Sequence, residues 1–360
     1  MSIHFHALKV KEIKKETGDC VSVLFDVPEN LKEDFRFTQG QSLTMRATIN
    51  GEEVRRTYSI CSSPLEQQLK VAIKKVEGGL FSSFANEQLK MNDVLEVMTP
   101  IGRFYTTLDA ANRKHYIAFA AGSGITPLLS IIKTTLAVEP ESTFTLVYGN
   151  KNRSSIIFFE ELEGLKNKYI NRFNLIHILS REKTDAEVNF GRITKDKCND
   201  LFSKLLDLKT ADEFFICGPE DMIFSVKAFL EEKGIAEKKI HFELFTTPGQ
   251  NKKQEVRSTK YQEEGPQSKI TVTLDGRSFD FTIPFNSDTT ILDAAMQQGA
   301  DVPYACKGGV CCTCKAKLVE GEVKMDVHWG LEQEEIEQGY ILTCQAHPTT
   351  ANVAVDFDVK

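Results

Sequence analysis

Tyr304-Ala305-Cys306-Lys307-Gly308-Gly309-Val310-Cys311-Cys312-Thr313-Cys314 contains a C-x4-C-x2-C spacing, and a fourth thiol, Cys344, follows after 29 more residues. That spacing belongs to plant-type [2Fe–2S] sites and differs from the C-x2-C-x2-C-x3-C-P run of bacterial ferredoxins. With Gly308 and Gly309 the loop is too glycine-rich for helix or strand, so it can fold round an anionic group and aim backbone N–H groups at sulfur. Cys344 lies in Tyr340-Ile341-Leu342-Thr343-Cys344-Gln345, an apolar run that reads as the end of a strand. Cys306, Cys311, Cys314 and Cys344 are therefore expected to hold a [2Fe–2S] cluster. Zinc also accepts four thiolates, but structural zinc sites pair two close knuckles, and Cys344 has no near partner. Nine cysteines is an odd count and nothing resembles a signal peptide, which argues against a disulfide framework. Cys312 adjoins a ligand and is expected to point away, while Cys20, Cys61 and Cys198 read as buried apolar residues.

Outward from this loop, Ile270–Leu274 and Phe279–Ile283 flank Asp275-Gly276, a hairpin signal, and Ile291–Gln298 reads as a helix stopped by Gly299. Residues 268–360 thus predict an α+β, β-grasp-like ferredoxin domain. The preceding segment, Thr246–Ser268, is polar and rich in Pro, Gly and charge, so residues 248–267 read as a linker. Between 106 and 247, Tyr116–Ala121, Phe144–Tyr148, Phe173–Leu179, Glu213–Cys217 and Ile240–Phe245 read as strands. Helical stretches separate them: Ile156–Tyr169, one after Thr194 as N-cap, and Glu220–Lys233 closed by Gly234. This alternation predicts an α/β doubly wound parallel sheet. Residues 1–105 carry short β-forming segments at Val21–Val27, Ser42–Thr48, Val54–Ile60, Leu69–Lys74 and Val94–Met98, the pattern of a small antiparallel β-barrel. The chain is multidomain, as 360 residues would suggest.

Composition is that of a soluble globular protein, and no run approaches a membrane span. A cytoplasmic location is expected, with no membrane insertion. The net charge of −7 argues against nucleic acid as partner. Residues 1–105 carry 14 basic and 14 acidic side chains, 106–247 carry 19 and 20, 248–267 carry 4 and 3, and 268–360 carry 7 and 14. The acidic surplus therefore sits on the cysteine-bearing segment, which reads as a docking face for a basic partner or as simple solubility. Trp329 lies near Glu332, Glu334, Glu335 and Glu337, another docking face or a solvated helix. The seven histidines show no metal-ligand pairing.

Three further motifs carry chemistry. In Arg56-Thr57-Tyr58-Ser59-Ile60, strand alternation puts Arg56 and Tyr58 on one face, a cation beside an aromatic ring. Gly78-Gly79-Leu80-Phe81-Ser82-Ser83 opens an apparent helix and reads as an anion site or a bare turn. Gly122-Ser123-Gly124-Ile125-Thr126-Pro127 follows a strand and precedes a helix, the context of a dinucleotide turn, although Pro127 stands where a third glycine is usual. Cys217-Gly218-Pro219 ends another strand, where open α/β sheets bind ligands.

In this order, Arg-x-Tyr-Ser, the glycine segment with serine, Gly-x-Gly-x-x-Pro and Cys-Gly-Pro resemble the ferredoxin–NADP reductase family. With the cysteine pattern attached, the chain is similar to an oxygenase reductase over essentially its whole length. The resemblance implies that Arg56 contacts the FAD pyrophosphate, Tyr58 stacks on the isoalloxazine and Ser59 bonds near the flavin's reactive nitrogen. It implies that Gly79 and Ser82 lie against the FAD phosphates, and that Gly122, Gly124 and Thr126 receive the nicotinamide nucleotide. Cys217, followed by Gly218, would sit near the nicotinamide, and Phe245 near the flavin's other face. Ser180-Arg181 resembles the pair that holds the 2′-phosphate of NADPH, whereas an acidic residue there would favour NADH. Lys151 and Arg153 could supply the charge instead.

The implied function is transfer of electrons from NADPH through FAD and the [2Fe–2S] cluster to an oxygenase or hydroxylase that hydroxylates or epoxidises an aromatic substrate. A nicotinamide gives two electrons as hydride and a cluster takes one, so a flavin belongs between them. Tyr58, Ser59 and Cys217 are the residues expected at the reacting atoms. Two alternatives stand beside this: a reductase serving a desaturase or another hydroxylase, and a non-catalytic ferredoxin-like redox-sensing module. The intact Arg56–Ser59 and Cys217–Pro219 motifs argue against the second.

Overall fold

A computed structural model of the chain describes residues 4–246, 266–285 and 288–359. The chain resolves into two compact bodies, one made of Phe5–Val54 and Tyr58–Leu244 and the other of the C-terminal domain from Phe245 on, with which Arg55–Thr57 are grouped.

In the first body, β1 (Phe5–Thr17), β2 (Cys20–Asp26), β3 (Ser42–Ile49), β4 (Glu52–Ser59), β5 (Leu69–Lys74) and β6 (Val94–Met98) form one sheet in the order β4-β3-β6-β1-β2-β5. Its two ends meet through an antiparallel bridge between Ile60 and Val71, and Cys61 N–H donates to Lys70 O at 2.9 Å. The sheet is thereby closed into a barrel, which leaves no open edge. Leu8, Val10, Val23, Leu43, Met45, Val71 and Val97 fill the interior. The sequence does not announce β1, whose lysines at 9, 11, 14 and 15 mask the buried Leu8 and Val10. It forms because it pairs on both sides, with β2 and β6. Helix α1 (Leu80–Glu87) lies between β5 and β6 in the chain and buries Phe81, Ser82 and Ala85.

Five parallel strands follow: β7 (His115–Ala121), β8 (Thr143–Asn150), β9 (Phe173–Leu179), β10 (Glu213–Cys217) and β11 (Ile240–Glu243). Their order is β11-β10-β7-β8-β9, so the winding reverses between β7 and β10. Helices α2 (Ile125–Val138), α3 (Phe159–Lys168), α4 (Lys195–Lys204) and α5 (Glu220–Glu232) connect them. Strand β7 is buried throughout Tyr116–Ala120, as expected for a parallel strand covered on both faces. Thr194 caps α4 by accepting from Lys197 N–H, and Gly234, at φ +80°, ends α5. Helix α3 begins at Phe159 rather than Ile156, because Phe158 takes a left-handed conformation at its N-cap. β11 stops at Glu243, so Phe245 lies beyond the strand.

Helix α2 buries twelve of its fourteen residues, polar ones included. Ser130 Oγ donates to Ser62 O (2.6 Å), and the Ser63 and Thr134 hydroxyls pair at 2.9 Å. Lys133 Nζ lies 2.6 Å from both Glu66 and Glu161, which stitches the barrel to the α/β layer. Removing one partner of a fully buried ion pair costs about 3–5 kcal/mol. Glu66 and Glu161 keep some access to water. Lys133→Met is therefore expected to destabilise the protein by about 2 kcal/mol, less than that full burial cost, read as a lower urea midpoint. An unchanged midpoint would show that the triad contributes nothing.

The second body contains β12 (Gln267–Leu274), β13 (Arg277–Pro284), α6 (Ile291–Gln297), β14 (Lys315–Glu320), β15 (Val323–Met325), α7 (Gln333–Glu337), β16 (Tyr340–Leu342), β17 (Ala346–Pro348) and β18 (Asn352–Asp356). Its main sheet runs β13-β12-β18-β14-β16, and β15 pairs with β17. Asp275 and Gly276 turn the β12–β13 hairpin with φ of 51° and 69°, the left-handed pair a type I′ turn requires. The Asp358 carboxylate accepts both of their N–H groups, at 2.9 and 2.8 Å. Ile270, Val272, Ile283, Leu292, Leu342 and Val355 form the core, and Thr290 caps α6. The acidic stretch near Trp329 forms the short α7, with Glu335 buried rather than solvated. Residues 248–265 of the expected linker lie outside the described residues, and its last residue, Gln267, opens β12. Among the described residues no helix is long and apolar enough to cross a membrane.

Candidate functional site

The loop after α6 and the turn after β16 bring four thiols together. Cys311 Sγ donates to Cys306 Sγ at 3.1 Å, Gly308 N–H donates to the same sulfur at 3.3 Å, and Cys344 lies within hydrogen-bond reach of both Cys306 and Cys314. Thr343 fixes the meeting point, donating to Cys314 O through its N–H (3.1 Å) and its hydroxyl (3.0 Å). Hydrogen bonds from Cys311 and Cys344 hold the Cys306 thiol well below its usual range, while the same contacts and burial push Cys311 and Cys344 well above theirs, so Cys306 is the thiol of the group that ionises first. Two glycines permit the packing. A Cβ on Gly309 would meet Val327 at 2.7 Å, and one on Gly330 would meet Cys311 O at 2.6 Å. An all-sulfur donor set, with the Gly308 N–H on one of its sulfurs, fits a [2Fe–2S] cluster.

At the reversal between β7 and β10, two turns pack against each other. Gly122 adopts φ +55°, and its carbonyl accepts from Tyr148 Oη at 2.9 Å. A Cβ on Gly124 would lie 2.0 Å from Cys217 O, and one on Gly218 would lie 3.1 Å from Ala121 N. Helix α2 is entered through a single turn, Gly122–Gly124, that has no side-chain cap, so the N–H groups at the start of that turn are available to a phosphate. Open α/β sheets bind nucleotides in this crevice. Thr126 is buried and its hydroxyl donates to Ser123 O at 2.9 Å, closing the turn from within. Cys217 is fully buried, and burial pushes its thiol well above the ordinary range, so it is neutral.

On the barrel, Tyr58 is half-buried, its ring 5.6 Å from that of Phe81. Arg56, on the same strand, is exposed, and its Nη1 donates to Arg55 O at 2.7 Å. Gly79 is the N-cap of α1, which also lacks a side-chain cap. The Ser82 hydroxyl accepts from Val76 N–H (3.1 Å) and donates to Gly79 O (3.2 Å), so it shapes the loop from inside. Past β9, Ser180 Oγ donates to Asn150 O at 3.3 Å while Arg181, Lys151 and Arg153 are exposed. Glu182 stands among these cations, its carboxylate accepting from Arg153 N–H at 2.8 Å. Phe245 is 41% exposed.

Residues 7–105 match the family model of an oxidoreductase FAD-binding domain, 119–228 that of an oxidoreductase NAD-binding domain, and 272–349 that of a 2Fe-2S iron–sulfur cluster binding domain. A component of the 1,2-phenylacetyl-CoA epoxidase of Escherichia coli (strain K12) is 47% identical over 357 residues, which cover 99% of this chain and 98% of that protein. The chain belongs to the oxygenase reductases of the ferredoxin–NADP reductase family. The ferredoxin reductase component of 3-ketosteroid-9-alpha-monooxygenase from Rhodococcus rhodochrous is 32% identical, covering 97% of this chain and 96% of that one. Phthalate dioxygenase reductase shares the fold, with a TM-score of 0.58 at 24% identity over 98% of both chains.

Two residues of this reductase site carry no motif in the sequence. Glu243 stands beside Cys217 in the β10–β11 register, and its carboxylate accepts from Ser59 Oγ at 3.0 Å. Burial raises its pKa to about 7. Lys74, at the end of β5, places Nζ 3.9 Å from where a Gly122 Cβ would stand, a barrel cation beside the glycine turn. Only folding brings either to its place, so no local signal marks them.

A carboxyl raised in the folded state contributes stability that is complete below its unfolded pKa of about 4.3. That contribution is lost as pH rises through the folded value of about 7. Glu243→Gln lacks this loss, so its Tm advantage over the wild-type reductase is expected to grow between pH 5 and 8. Paired thermal melts check this, and a difference independent of pH would contradict it.

Proposed function

We propose that this reductase draws electrons from NADPH and delivers them, in the cytoplasm, to the oxygenase component of a phenylacetyl-CoA-type epoxidase. The carrying observation is 47% identity to the Escherichia coli epoxidase component along practically the whole of both chains. None of the nine cysteines is paired in a disulfide, which is consistent with a reducing compartment. We assign residues 1–105 to FAD, 106–247 to the nicotinamide nucleotide, 248–267 to a linker and 268–360 to the cluster.

When bound, FAD converts a hydride into single electrons, and a [2Fe–2S] cluster carries them one at a time. The chain's own part is to hold these groups and exclude water. Arg56 supplies charge for the pyrophosphate, Tyr58 a flat ring for the isoalloxazine, and Ser59 a hydroxyl near the flavin's reactive nitrogen. Gly79 and Ser82 set the loop whose backbone N–H groups meet the FAD phosphates. Gly122, Gly124 and Thr126 shape the nucleotide turn, and Cys217 and Gly218 would lie near the nicotinamide, with the buried Cys217 thiol neutral. Phe245 covers the flavin's other face. Cys306, Cys311, Cys314 and Cys344 ligate the cluster.

Preference for NADPH is supported by Ser180 and Arg181 beside the exposed Lys151 and Arg153. Comparing kcat/KM for NADPH and NADH tests it, with NADPH expected to be favoured and an NADH preference ruling the assignment out. Turnover with the purified epoxidase oxygenase component tests the acceptor.

A further inference from the structure

Gln345 follows the fourth thiol directly and sits where the two parts of the cysteine site meet. Its amide Nε2 donates to Lys307 O at 3.1 Å and to Cys344 O at 2.8 Å, and reaches Cys344 Sγ at 3.7 Å. An amide nitrogen carries two N–H groups, so three acceptors share two donors and the side chain is held from several directions. Its backbone is fixed as well: its N–H donates to Leu342 O (2.9 Å) and its carbonyl accepts from Asp326 N–H (3.0 Å). Gly309 leaves room for it, since a Cβ there would lie 3.0 Å from Gln345 Cγ. One side chain thus ties the fourth thiol to the backbone of the loop that carries the other three.

We propose that Gln345 is a positioning residue that raises the reduction potential of the cluster, by donating to the Cys344 sulfur while strapping that ligand to Lys307. Reduction adds negative charge to the cluster and its sulfurs. A donor aimed at a ligand sulfur is strengthened by that charge, so it favours the reduced form. Hydrogen bonds to the sulfurs are among the factors that spread [2Fe–2S] potentials over a wide range, and such outer partners tune a metal site without touching the metal. The proposal rests on the four cysteines holding the cluster.

The test is the cluster midpoint potential of the full-length holoprotein, from an anaerobic redox titration followed by EPR, for wild type, Gln345→Leu and Gln345→Glu. Leu removes the donor at similar volume, and Glu replaces it with an acceptor. At the wild-type midpoint, Gln345→Leu is expected to lower the reduced-to-oxidised ratio about tenfold, equivalent to about 59 mV for one electron. Gln345→Glu should shift at least as far, and NADPH-to-ferricyanide turnover should be unchanged in both. Midpoints indistinguishable from wild type would overturn the proposal. If Gln345→Leu loses iron, the Gln345→Glu midpoint decides. Iron loss in both, with FAD retained, would also overturn it, leaving Gln345 as a strap without influence on potential. A wild-type protein with no cluster signal after reconstitution with iron and sulfide would instead sink the ligand assignment.

Discussion

Cys344→Ser is expected to leave NADPH-to-ferricyanide turnover within about twofold of wild type while lowering oxygenase-coupled turnover by more than about 100-fold. The asymmetry follows from where Cys344 sits. It belongs to the cysteine site of the second body, whereas Tyr58, Ser59 and the Gly122–Gly124 turn belong to the first. Ferricyanide accepts electrons from the flavin side and needs no cluster. Cys344 is 4% exposed and lies beside Cys306 and Cys314, and the serine hydroxyl that takes its sulfur's place is a far weaker acid than a thiol. The pairing of β16 with β14 does not involve its side chain, so the sheet survives the exchange. Iron analysis and the two assays on one preparation check this. Equal loss of both activities would mean that the cluster lies before the point at which ferricyanide takes electrons.

Gly124→Ala is expected to produce the complementary pattern, with both activities reduced by more than about 100-fold and FAD retained. The added methyl carbon would stand 2.0 Å from Cys217 O and 2.7 Å from Gly218 N. Both neighbours are backbone and cannot rotate aside. Either α2 retreats from β10 or the Cys217–Pro219 turn opens, and each change deforms the crevice where the nicotinamide nucleotide is placed. The barrel elements assigned to FAD, β4 and α1, are remote in sequence from this clash. Gly164→Ala is the matched control: it lies in α3, and a Cβ there meets nothing within 4 Å, so it should be neutral or slightly stabilising. Flavin reduction by NADPH, measured beside flavin content, separates loss of nucleotide binding from unfolding. Full activity in Gly124→Ala would show that the close approach of the two turns is dispensable.

The parts of this protein that are legible in its sequence are those encoded locally. The cysteine spacing, the Asp275-Gly276 turn, the Thr194 cap and the glycine turn after an apolar strand each state their geometry within a few residues. β1 is not legible, because its outward lysines hide an alternation that appears only once β2 and β6 flank it. Glu243 reads as an ordinary acid near a strand end, and its pKa is raised by burial against the opposing hydrogen bond from Ser59, 184 positions away. Lys133 lies inside a helix whose burial on all sides arises only when the barrel covers it. Ser82 and Thr126 illustrate the converse. Their motifs are visible, but their hydroxyls are spent on closing the loops from within.

The central claim is the order of the relay, and anaerobic stopped-flow mixing of the holoprotein with NADPH, followed at the flavin and cluster absorption bands, tests it most directly. Flavin bleaching is predicted to come first, and cluster reduction to follow at a rate independent of protein concentration. In Cys344→Ser only the first phase should remain. Cluster reduction that precedes flavin bleaching, or that persists unchanged in Cys344→Ser, would contradict the account.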